Sequence, residues 1–334
     1  MKAVVYDGPM QVAVKDLPLP EGRGVLVAVD ACGICGTDLT IYKGAHPRAK
    51  GPLVLGHEFV GRTTEDCAEF PKGSRVTCYP LISCGECQTC LSGQPHICEV
   101  LRLYGIDTAG GMAEMVRIPA SELLAVPESV SDAVAAQAEP LAVCVHAARR
   151  AGFAAGDHVA IIGAGPIGTT LAAYLRRMGA GSVALFDTNE ARIAQLRDAG
   201  FDARSTASES YEAALAAQGR AGFDRVFECA GAARAVEDAL RYTRVGGSVA
   251  IVSIHKGAQP VDLQLLAFRE LSVIGTRVYT RADFAEAVAM LAPMAEELGW
   301  LAGAPCLPEE APALFEALTQ GRGPMKAIIH FARE

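Results

Sequence analysis

The chain has 334 residues, of which 51% are hydrophobic and 20% are charged, and its formal net charge is −8. This composition is typical of a well-packed globular protein and excludes a disordered chain, and the length favours two domains. Because the net charge is negative, there is no electrostatic reason to expect a nucleic acid or an anionic membrane as a partner.

The first residues, MKAVVYDGPMQVAVKDLPLP, contain neither the apolar segment nor the small-residue cleavage site of a secretory signal, so we expect a cytoplasmic protein. The longest uncharged run, residues 159–175, is shorter than the roughly 20 residues of a membrane span and contains three glycines and a proline. A buried strand, turn and helix is the better interpretation, and we expect no membrane partner.

The first part of the chain is predicted to be rich in β-strands. Alternating apolar and polar residues predict strands at KAVVY, QVAVK and VLVAVD, and strand-and-turn sequence continues to about Pro127, for example in SRVTCYP and MAEMVRIP. Few segments here have the length or period of a long helix. We therefore predict a β-rich domain.

Three separate stretches carry potential ligands: CGICGTD (32–38), GHEF (56–59) and AEPLA (138–142). Cys35, His57 and an acid, either Glu58 or Glu139, would form a zinc site with three protein ligands and one open position, as a catalytic zinc requires. Each residue also has an ordinary explanation, as a core histidine, an ion-pair member or an acid in the first turn of a helix. The spacing alone leaves both interpretations open.

The stretch ISCGECQTCLSGQPHIC, residues 82–98, has the spacing C-x2-C-x2-C-x7-C and contains Cys84, Cys87, Cys90 and Cys98. A reducing compartment disfavours disulfides, and an odd total of 11 cysteines cannot all pair. The spacing lets four thiolates converge on one zinc ion in a tetrahedron. Since four sulfurs leave no open coordination position, we predict a structural zinc site.

After Glu139 the pattern changes to alternating helices and strands. AEPLAVCVHAARRAG has helical spacing, and strand and helix patterns then alternate through DHVAIIGAGPIGTTLAAYLRRMGAGSVALFD, FDRVFECAG, AVEDALRYTRVGGSVAIVSI and ELSVIGT. Such alternation predicts an α/β fold with a doubly wound parallel sheet. The tail is predicted to be helical at TRADFAEAVAMLAPMAEEL and to end in a strand at MKAIIHF.

The sequence GAGPIG follows the apolar strand at 159–162 and opens a helix, which is the context of a dinucleotide-binding loop. The glycines allow a tight turn, close approach of the pyrophosphate and contact between helix and strand, and the helix N-terminus attracts the phosphates. The residues predicted to bind the cofactor here are Gly163, Gly165, Pro166, Ile167 and Gly168.

Asp187 ends the next predicted strand, where a carboxylate can accept from both ribose hydroxyls of the adenosine and would repel a 2′-phosphate, so NAD is favoured over NADP. The alternative is that Asp187 caps the following helix. Arg192 is a nearby cation and keeps NADP as a second possibility.

Together, GICGTD, LGHEFVG, the four-cysteine stretch, GGMAEMV, AEPLAVCVHA and GAGPIG resemble the zinc-containing medium-chain dehydrogenase/reductase superfamily over nearly the whole chain. The Glu139–Pro140 pair is similar to the sorbitol, threonine and butanediol dehydrogenase branch. The resemblance implies a GroES-like catalytic domain at residues 1–140 and 277–334, with a zinc lobe at about 83–99, and a Rossmann domain at 141–276.

The resemblance also implies a function. It implies two zinc ions per chain, a nicotinamide cofactor, a small alcohol or ketone as substrate, and a homodimer or homotetramer. The catalytic zinc would be bound by Cys35 and His57 with either Glu58 or Glu139, and as a Lewis acid it would lower the pKa of the substrate hydroxyl while hydride passes to the nicotinamide.

The proton route is expected to differ from that of many relatives. Thr37 matches the relay hydroxyl of the family, and the less favoured alternative is an ordinary helix-start residue beside Asp38. Many relatives have His five residues after the ligand cysteine, where this chain has Thr40, which cannot take up a proton near neutral pH. Ribose hydroxyls, water or a nearby residue such as His46 would then carry the proton.

The substrate is less well defined. Tyr279 lies where polyol dehydrogenases place a substrate-facing arginine–tyrosine pair, but Val278 precedes it, so the arginine is missing and sorbitol is not predicted. Tyr104 and Ile106 are further candidates for the substrate pocket, or packing residues. Secondary alcohols, diols, amino alcohols and cyclic polyols all remain open.

Three other functions fit the sequence less well. A zinc-free quinone reductase of the same superfamily would lack the Cys35/His57/acid set and the four-cysteine lobe. A non-enzymatic zinc-binding interaction module would have no need of the GAGPIG loop. A zinc-binding, NADP-dependent reductase acting on aldehydes or ketones is the closest alternative.

Overall fold

The structure is a computed structural model, and it describes residues 1–67 and 69–331. The chain divides into two compact units, one formed by Met1–Ala142 with Tyr279–Glu334 and the other by Val143–Val278. The predicted domain limits, after residues 140 and 276, lie two residues before these boundaries.

The strands are numbered in chain order. They are β1 (Lys2–Gly8), β2 (Gln11–Asp16), β3 (Val25–Gly33), β4 (Leu53–Val54), β5 (Glu58–Thr63), β6 (Arg75–Cys78), β7 (Leu81–Ile82), β8 (Arg102–Leu103), β9 (Met115–Ile118), β10 (Leu123–Ala125), β11 (His158–Ile162), β12 (Ser182–Asp187), β13 (Asp202–Ser205), β14 (Phe223–Glu228), β15 (Thr243–Ile251), β16 (Ser272–Gly275) and β17 (Ile328–His330).

The helices are numbered in the same way. They are α1 (Gly36–Tyr42), α2 (Gln88–Leu91), α3 (Asp132–Ala135), α4 (Ala138–Arg150), α5 (Pro166–Arg177), α6 (Glu190–Asp198), α7 (Ser208–Ala216), α8 (Ala233–Tyr242), α9 (Leu263–Phe268), α10 (Arg281–Met290), α11 (Ala295–Leu301) and α12 (Ala311–Thr319). Short 3-10 helices lie at Pro95–Ile97, Ala120–Glu122 and Pro308–Glu310.

The first unit is built on antiparallel sheets. The largest has the order β10-β6-β5-β3-β17, with β9 also paired to β3, and a second sheet has the order β2-β1-β4. β3 is buried along most of its length. Its sequence VLVAVDACG, which is apolar except for Asp30, is typical of a strand buried on both faces.

The register around β3 brings three distant parts of the chain to one end of the sheet. Gly33, the last residue of β3, is paired with Glu58, the first residue of β5, and also with Ile328, the first residue of β17. Residues that follow β3, precede β5 or precede β17 therefore lie close together. This end of the sheet carries the candidate active site.

The second unit is a six-stranded parallel sheet with the order β13-β12-β11-β14-β15-β16. Its core contains large buried residues from strands and helices, among them Phe186, Tyr211, Phe223 and Leu240. The order reverses direction between β11 and β14, and in such sheets ligands bind beyond the carboxyl ends of the strands at this switch point.

The predicted fold class is confirmed: an antiparallel, β-rich unit is combined with a doubly wound α/β unit. The strands predicted at KAVVY, QVAVK, VLVAVD, SRVTCYP and MKAIIHF correspond to β1, β2, β3, β6 and β17, and α5 begins at Pro166 as the loop sequence predicted. Across the described part of the chain, each helix is too short or too polar to cross a membrane.

Candidate active site

Cys35, His57 and Glu58 form a cluster in which the potential ligand atoms all lie within 4.8 Å of one another. Cys35 is the residue before α1, and His57 directly precedes β5, so the pairing of β3 with β5 brings them together. His57 is 4% exposed and Glu58 is 1% exposed. A thiol, an imidazole and a carboxylate are a donor set typical of a catalytic zinc.

Two glycines create the space for this cluster. Gly56 has a φ of +94°, which side chains rarely tolerate, and a Cβ at this position would lie 2.6 Å from the Sγ of Cys32. A Cβ on Gly33 would collide with the carboxylate of Glu58. The chain can therefore turn sharply before His57 and pack Glu58 against β3 only because both positions are glycine.

Glu58 is held by a cation from the far end of the chain. The Nζ of Lys326 donates to the Oε2 of Glu58 and to the carbonyl oxygen of Ile34, the latter at 3.1 Å. The side chains of Lys326 and Glu58 are only 5% and 1% exposed. Burial alone would lower the pKa of Lys326, but Glu58 and Cys35 outweigh burial and raise it.

The surroundings of His57 fit a metal ion. Its Nδ1 and the Oδ1 of Asp38 are buried, and neither has a hydrogen-bond partner in the described ranges 1–67 and 69–331. Burial alone would lower the pKa of His57, yet Cys35, Asp38 and Glu139 raise it well above its ordinary value. Such a concentration of negative groups around one imidazole would be balanced by a cation bound there.

Asp38 is a buried carboxylate that acts electrostatically on His57. Its Oδ2 accepts from the backbone N–H of Cys35 at 2.8 Å, and the residue is fully buried. Metal-binding histidines commonly donate their second N–H to a carboxylate, which orients the ring. Asp38 and Glu139 are both carboxylates in the electrostatic environment of His57, and the Oδ1 of Asp38 has no other hydrogen-bond partner among the described residues.

Glu139, the other candidate third ligand, lies outside the three-residue cluster but acts on it electrostatically. It is 7% exposed, and its Oε1 accepts from the hydroxyl of Tyr279 at 2.7 Å. Burial raises the pKa of Glu139 to about 7, although His57 opposes the shift. The structure thus gives each acid its own buried partner: Lys326 for Glu58 and Tyr279 for Glu139.

The four cysteines of the 82–98 stretch converge. The Sγ–Sγ distances are 3.9 Å for Cys84–Cys90, 3.4 Å for Cys87–Cys90, 3.9 Å for Cys87–Cys98 and 3.5 Å for Cys84–Cys98. Four sulfurs at a zinc–sulfur distance of about 2.3 Å in a tetrahedron are separated by about 3.8 Å. The spacing of the sulfurs therefore fits one zinc ion.

The glycine-rich loop has the geometry expected for a pyrophosphate. Gly163 has a φ of +102°, and a Cβ there would lie 2.7 Å from the backbone nitrogen of Ala230. A Cβ on Gly168 would strike the carbonyl oxygen of Gly163 at 1.9 Å, whereas no atom lies within 4 Å of one on Gly165. The first and third glycines are needed for packing, and the second leaves open space where the loop meets α5.

Asp187 ends β12 beside this loop. Its Oδ2 accepts from the N–H of Ala164 at 2.8 Å and lies 3.1 Å from the Nη1 of Arg192, and its Oδ1 accepts from the N–H of Asn189 at 2.8 Å. The residue that caps α6 is Asn189, whose side chain accepts from the N–H of Arg192. The alternative that Asp187 is the helix cap is therefore wrong.

A second buried carboxylate lies at the carboxyl end of β14. Glu228 is fully buried. Its Oε1 accepts from the N–H groups of Ala230 and Gly231. Its Oε2 accepts from the hydroxyl of Ser253 and, at 2.9 Å, from the Nε2 of His255. These bonds tie the segment after β15 to the end of β14. This network was not predicted from the sequence.

The residues considered for the proton route, Thr37, Thr40 and His46, lie outside the ligand cluster. Thr37 is half-buried in the first turn of α1, and Thr40 donates its hydroxyl to the carbonyl oxygen of Gly36 at 3.0 Å. The Nδ1 of His46 accepts from the N–H of Arg48 and of Ala49 at 3.3 and 3.2 Å. Burial and Arg48 lower the pKa of His46, so it is a poor proton acceptor at neutral pH.

The two tyrosines suggested for substrate binding are not part of the cluster. Tyr279 is fully buried behind Glu139. Tyr104 lines a cavity of about 280 Å³ together with Tyr79, Pro95 and Arg281, and none of Cys35, His57, Glu58 or Glu139 contributes to its wall. Ile106 is 5% exposed and therefore a packing residue.

Two residues of the site were missed in the sequence. Asp38 is part of the quoted GICGTD motif, and its position three residues after Cys35 in a helix first turn was an available signal. Lys326 had no such signal, because only the pairing of β17 with β3 brings it to Glu58.

Two family descriptions match the chain. "Alcohol dehydrogenase GroES-like domain" matches residues 21–128, and "Zinc-binding dehydrogenase" matches residues 166–293. The first segment lies within the antiparallel unit, and the second covers most of the parallel unit and the first residues of the chain that follow it.

Individual proteins are similar over most of their length. A 2-dehydro-3-deoxy-L-galactonate 5-dehydrogenase of Pseudoalteromonas atlantica is 34% identical over 278 residues, covering 82% of this chain and 81% of that protein. An L-threonine 3-dehydrogenase of Anaeromyxobacter sp. (strain K) is 35% identical over 276 residues, covering 80% and 79%. A crystal structure of a zinc-binding dehydrogenase from Sinorhizobium meliloti 1021 bound to NADP has a TM-score of 0.90 and 31% identity and covers 99% of both chains.

Proposed function

Since the chain belongs to the zinc-containing medium-chain dehydrogenase/reductase family, we propose that this oxidoreductase interconverts a secondary alcohol or polyol and the corresponding ketone, with a nicotinamide as hydride carrier. The observation that carries this proposal is the buried cluster of Cys35, His57 and Glu58. Its donor set leaves room for a substrate oxygen, unlike the four-cysteine lobe.

The two clusters would hold one zinc ion each, catalytic at Cys35, His57 and an acid, and structural at the four cysteines. When bound at the first cluster, zinc supplies a Lewis acid that favours the deprotonated form of the substrate hydroxyl. Of the two acids, we favour Glu58 as the third ligand, because Lys326 holds it within the 4.8 Å cluster. Asp38 would keep the ring of His57 oriented.

The alcohol proton needs a first acceptor, and we assign this part to the Oγ1 of Thr37, which is half-buried two residues after Cys35. Neither Thr40 nor His46 is suited to receive it next, since Thr40 is bonded to the backbone of α1 and His46 accepts from two N–H groups. Ribose hydroxyls and water remain as the onward route.

We propose NAD as the preferred cofactor. The pyrophosphate would lie against Gly163–Gly168 at the N-terminus of α5, with Pro166 and Ile167 in its first turn. Asp187 can still accept from a ribose hydroxyl, since each carboxylate oxygen has two lone pairs. A 2′-phosphate would be repelled by the same carboxylate.

The substrate we propose is a small polyol, sugar acid, amino alcohol or diol. The relatives named above act on a sugar-acid derivative and on threonine, which share a secondary hydroxyl next to polar groups. Val278 in place of an arginine argues against sorbitol itself.

An NADP-dependent reductase acting on aldehydes or ketones is the second candidate. It is favoured by one contact, the 3.1 Å approach of Arg192 to Asp187, because this cation could turn toward a 2′-phosphate. The similar structure from Sinorhizobium meliloti contains NADP.

We propose a homo-oligomer located in the cytoplasm, where thiols stay reduced. β16 lies at the end of the parallel sheet, and Val273 in it is 43% exposed. Nearby Leu263 and Phe268 are 72% and 80% exposed. An uncovered sheet edge with exposed apolar residues is a typical pairing surface, here for β16 of a second copy.

The function is tested by incubating the zinc-loaded protein with NAD and a panel of secondary alcohols, polyols and amino alcohols and following NADH absorbance. NADH formation should stop when zinc is removed by a chelator and return when zinc is added. Undiminished turnover in the metal-free protein would contradict the proposal, and a strong preference for NADP with carbonyl substrates would favour the second candidate.

A further inference from the structure

Tyr279 is oriented toward the candidate active site but is not open to it. The side chain is fully buried, and its hydroxyl donates to the Oε1 of Glu139 at 2.7 Å. A substrate could reach this hydroxyl only by displacing Glu139 or the surrounding core. The position therefore differs from that of a residue that binds a polyol directly.

The tyrosine ring is packed by two other aromatic rings. The ring of Tyr79 lies edge-on at a centroid distance of 5.9 Å, and the ring of Phe284 lies at 5.6 Å. The hydroxyl of Tyr79 also donates to the backbone oxygen of Tyr279 at 3.3 Å. These contacts leave the ring one orientation, the one that directs its hydroxyl to Glu139.

The backbone on both sides of Tyr279 is also fixed. Val278 has a φ of +46°, which is an outlier for a β-branched residue. On the other side, Thr280 caps α10 and forms a reciprocal pair of hydrogen bonds with Asp283. Backbone strain of this kind persists only where the surrounding structure determines it, and it is concentrated at functional sites.

The partner of Glu139 differs in kind from that of Glu58. Lys326 provides a positive charge that balances Glu58, whereas Tyr279 provides a neutral hydroxyl that holds Glu139 without cancelling its charge. Glu139 in turn acts electrostatically on His57. The tyrosine hydroxyl holds the Oε1 of Glu139.

We propose that Tyr279 is a positioning residue, which fixes Glu139 beside His57 through its hydroxyl and does not contact the substrate. This inference rests on the proposed function, because Tyr279 can affect catalysis through Glu139 only if the site holds zinc. It departs from the substrate-facing position that the sequence suggested. The hydroxyl acts on the metal site through Glu139 alone.

The test compares the wild type with Tyr279→Phe, which removes only the hydroxyl, and with Tyr6→Phe, which removes a hydroxyl from another buried tyrosine of the same unit. Zinc affinity is measured by competition with a chelator, and the visible spectrum is recorded after cobalt replaces zinc. Tyr279→Phe should bind zinc measurably more weakly and change the cobalt spectrum, because Glu139 loses the hydrogen bond that fixes it near the Cys35, His57 and Glu58 cluster. Tyr6→Phe should behave as the wild type.

Kinetics separate positioning from substrate contact. Tyr279→Phe should lower kcat and leave the KM of the alcohol within about twofold, because the hydroxyl does not touch the alcohol. Glu139→Gln, which removes the charge that Tyr279 holds in place, should also change the cobalt spectrum, and adding Tyr279→Phe to it should cause no further change, because the hydroxyl acts on the site through that charge.

Three results would overturn the proposal: a raised KM with a wild-type cobalt spectrum, no difference from Tyr6→Phe, or failure of Tyr279→Phe to fold while Glu139→Gln folds. The first would indicate substrate contact and the last a structural role. The zinc and cobalt measurements need no substrate, so they remain readable even if the wild type were to form no NADH with any alcohol.

Discussion

Lys326 and Glu58 are separated by 268 positions in the sequence, and they form an ion pair that is almost completely buried. The pair follows from the register of one sheet, in which Gly33 is the neighbour of both Glu58 and Ile328. The acid directly after His57 is thereby fixed by the last strand of the chain.

Replacing Lys326 by Met should destabilise the protein strongly. In the metal-free protein the Glu58 carboxylate would then be buried without a cation, and breaking a buried pair in this way costs about 3–5 kcal/mol. Lys326→Arg keeps the charge and should lose much less. Urea unfolding of both variants measures the difference, and equal stability of the Met and Arg variants would show that the charge of Lys326 is unimportant.

The course of the strands and helices and the four-cysteine lobe follow from local patterns, whereas spacing left the set of Cys35, His57 and an acid open and the family resemblance implied it. Glycine-rich spacing predicts the loop at Gly163, and cysteine spacing predicts the lobe, because these features lie within short stretches of chain. Lys326 and its pairing with Glu58 could not be predicted, since a register between β3 and β17 is decided by packing of the whole sheet.

Cys98→Ser should remove one zinc ion and loosen the lobe. Cys98 is fully buried, and its sulfur lies 3.5 Å from that of Cys84 and 3.9 Å from that of Cys87. The matched control is Cys306→Ser, which changes a cysteine outside both clusters. Zinc content and limited proteolysis of the lobe report the effect. A Cys98→Ser variant with unchanged zinc content and protease resistance would argue against a structural metal.

Asp187→Ser should raise the KM of NAD and weaken the discrimination against NADP. A hydrogen bond to a charged group contributes about 1.5–3 kcal/mol, which corresponds to a KM about tenfold higher or more. Asp202→Ser, at an exposed position in β13, is the control. Steady-state kinetics with both cofactors decide; the ribose assignment fails if Asp187→Ser uses NAD as well as the wild type does.

Val273→Asp should dissociate the oligomer. The substitution puts a charge on the exposed face of edge strand β16, where a second copy would have to bury it. Leu91→Asp changes a residue of the cysteine lobe that is 76% exposed and should leave the assembly intact. Light scattering gives the mass of each variant, and a Val273→Asp protein of wild-type mass would place the interface elsewhere.

The orientation of the Tyr279 side chain could not be predicted from its sequence motif. Its place in the sequence suggests a substrate-facing side chain, but the left-handed backbone of Val278 and the packing of Tyr79 and Phe284 direct the hydroxyl to Glu139. Neither a strained φ nor a ring orientation is visible in a local pattern. Asp38, by contrast, lies inside a motif and could have been assigned.

The most direct test of the account is to measure zinc content, NADH binding and alcohol-dependent NADH formation in the wild type and in His57→Ala. We predict two zinc ions per chain in the wild type and one in the variant, with NADH formation lost and NADH binding, followed by fluorescence, retained. A His57→Ala protein that keeps both zinc ions and turns over alcohol at the wild-type rate would contradict it.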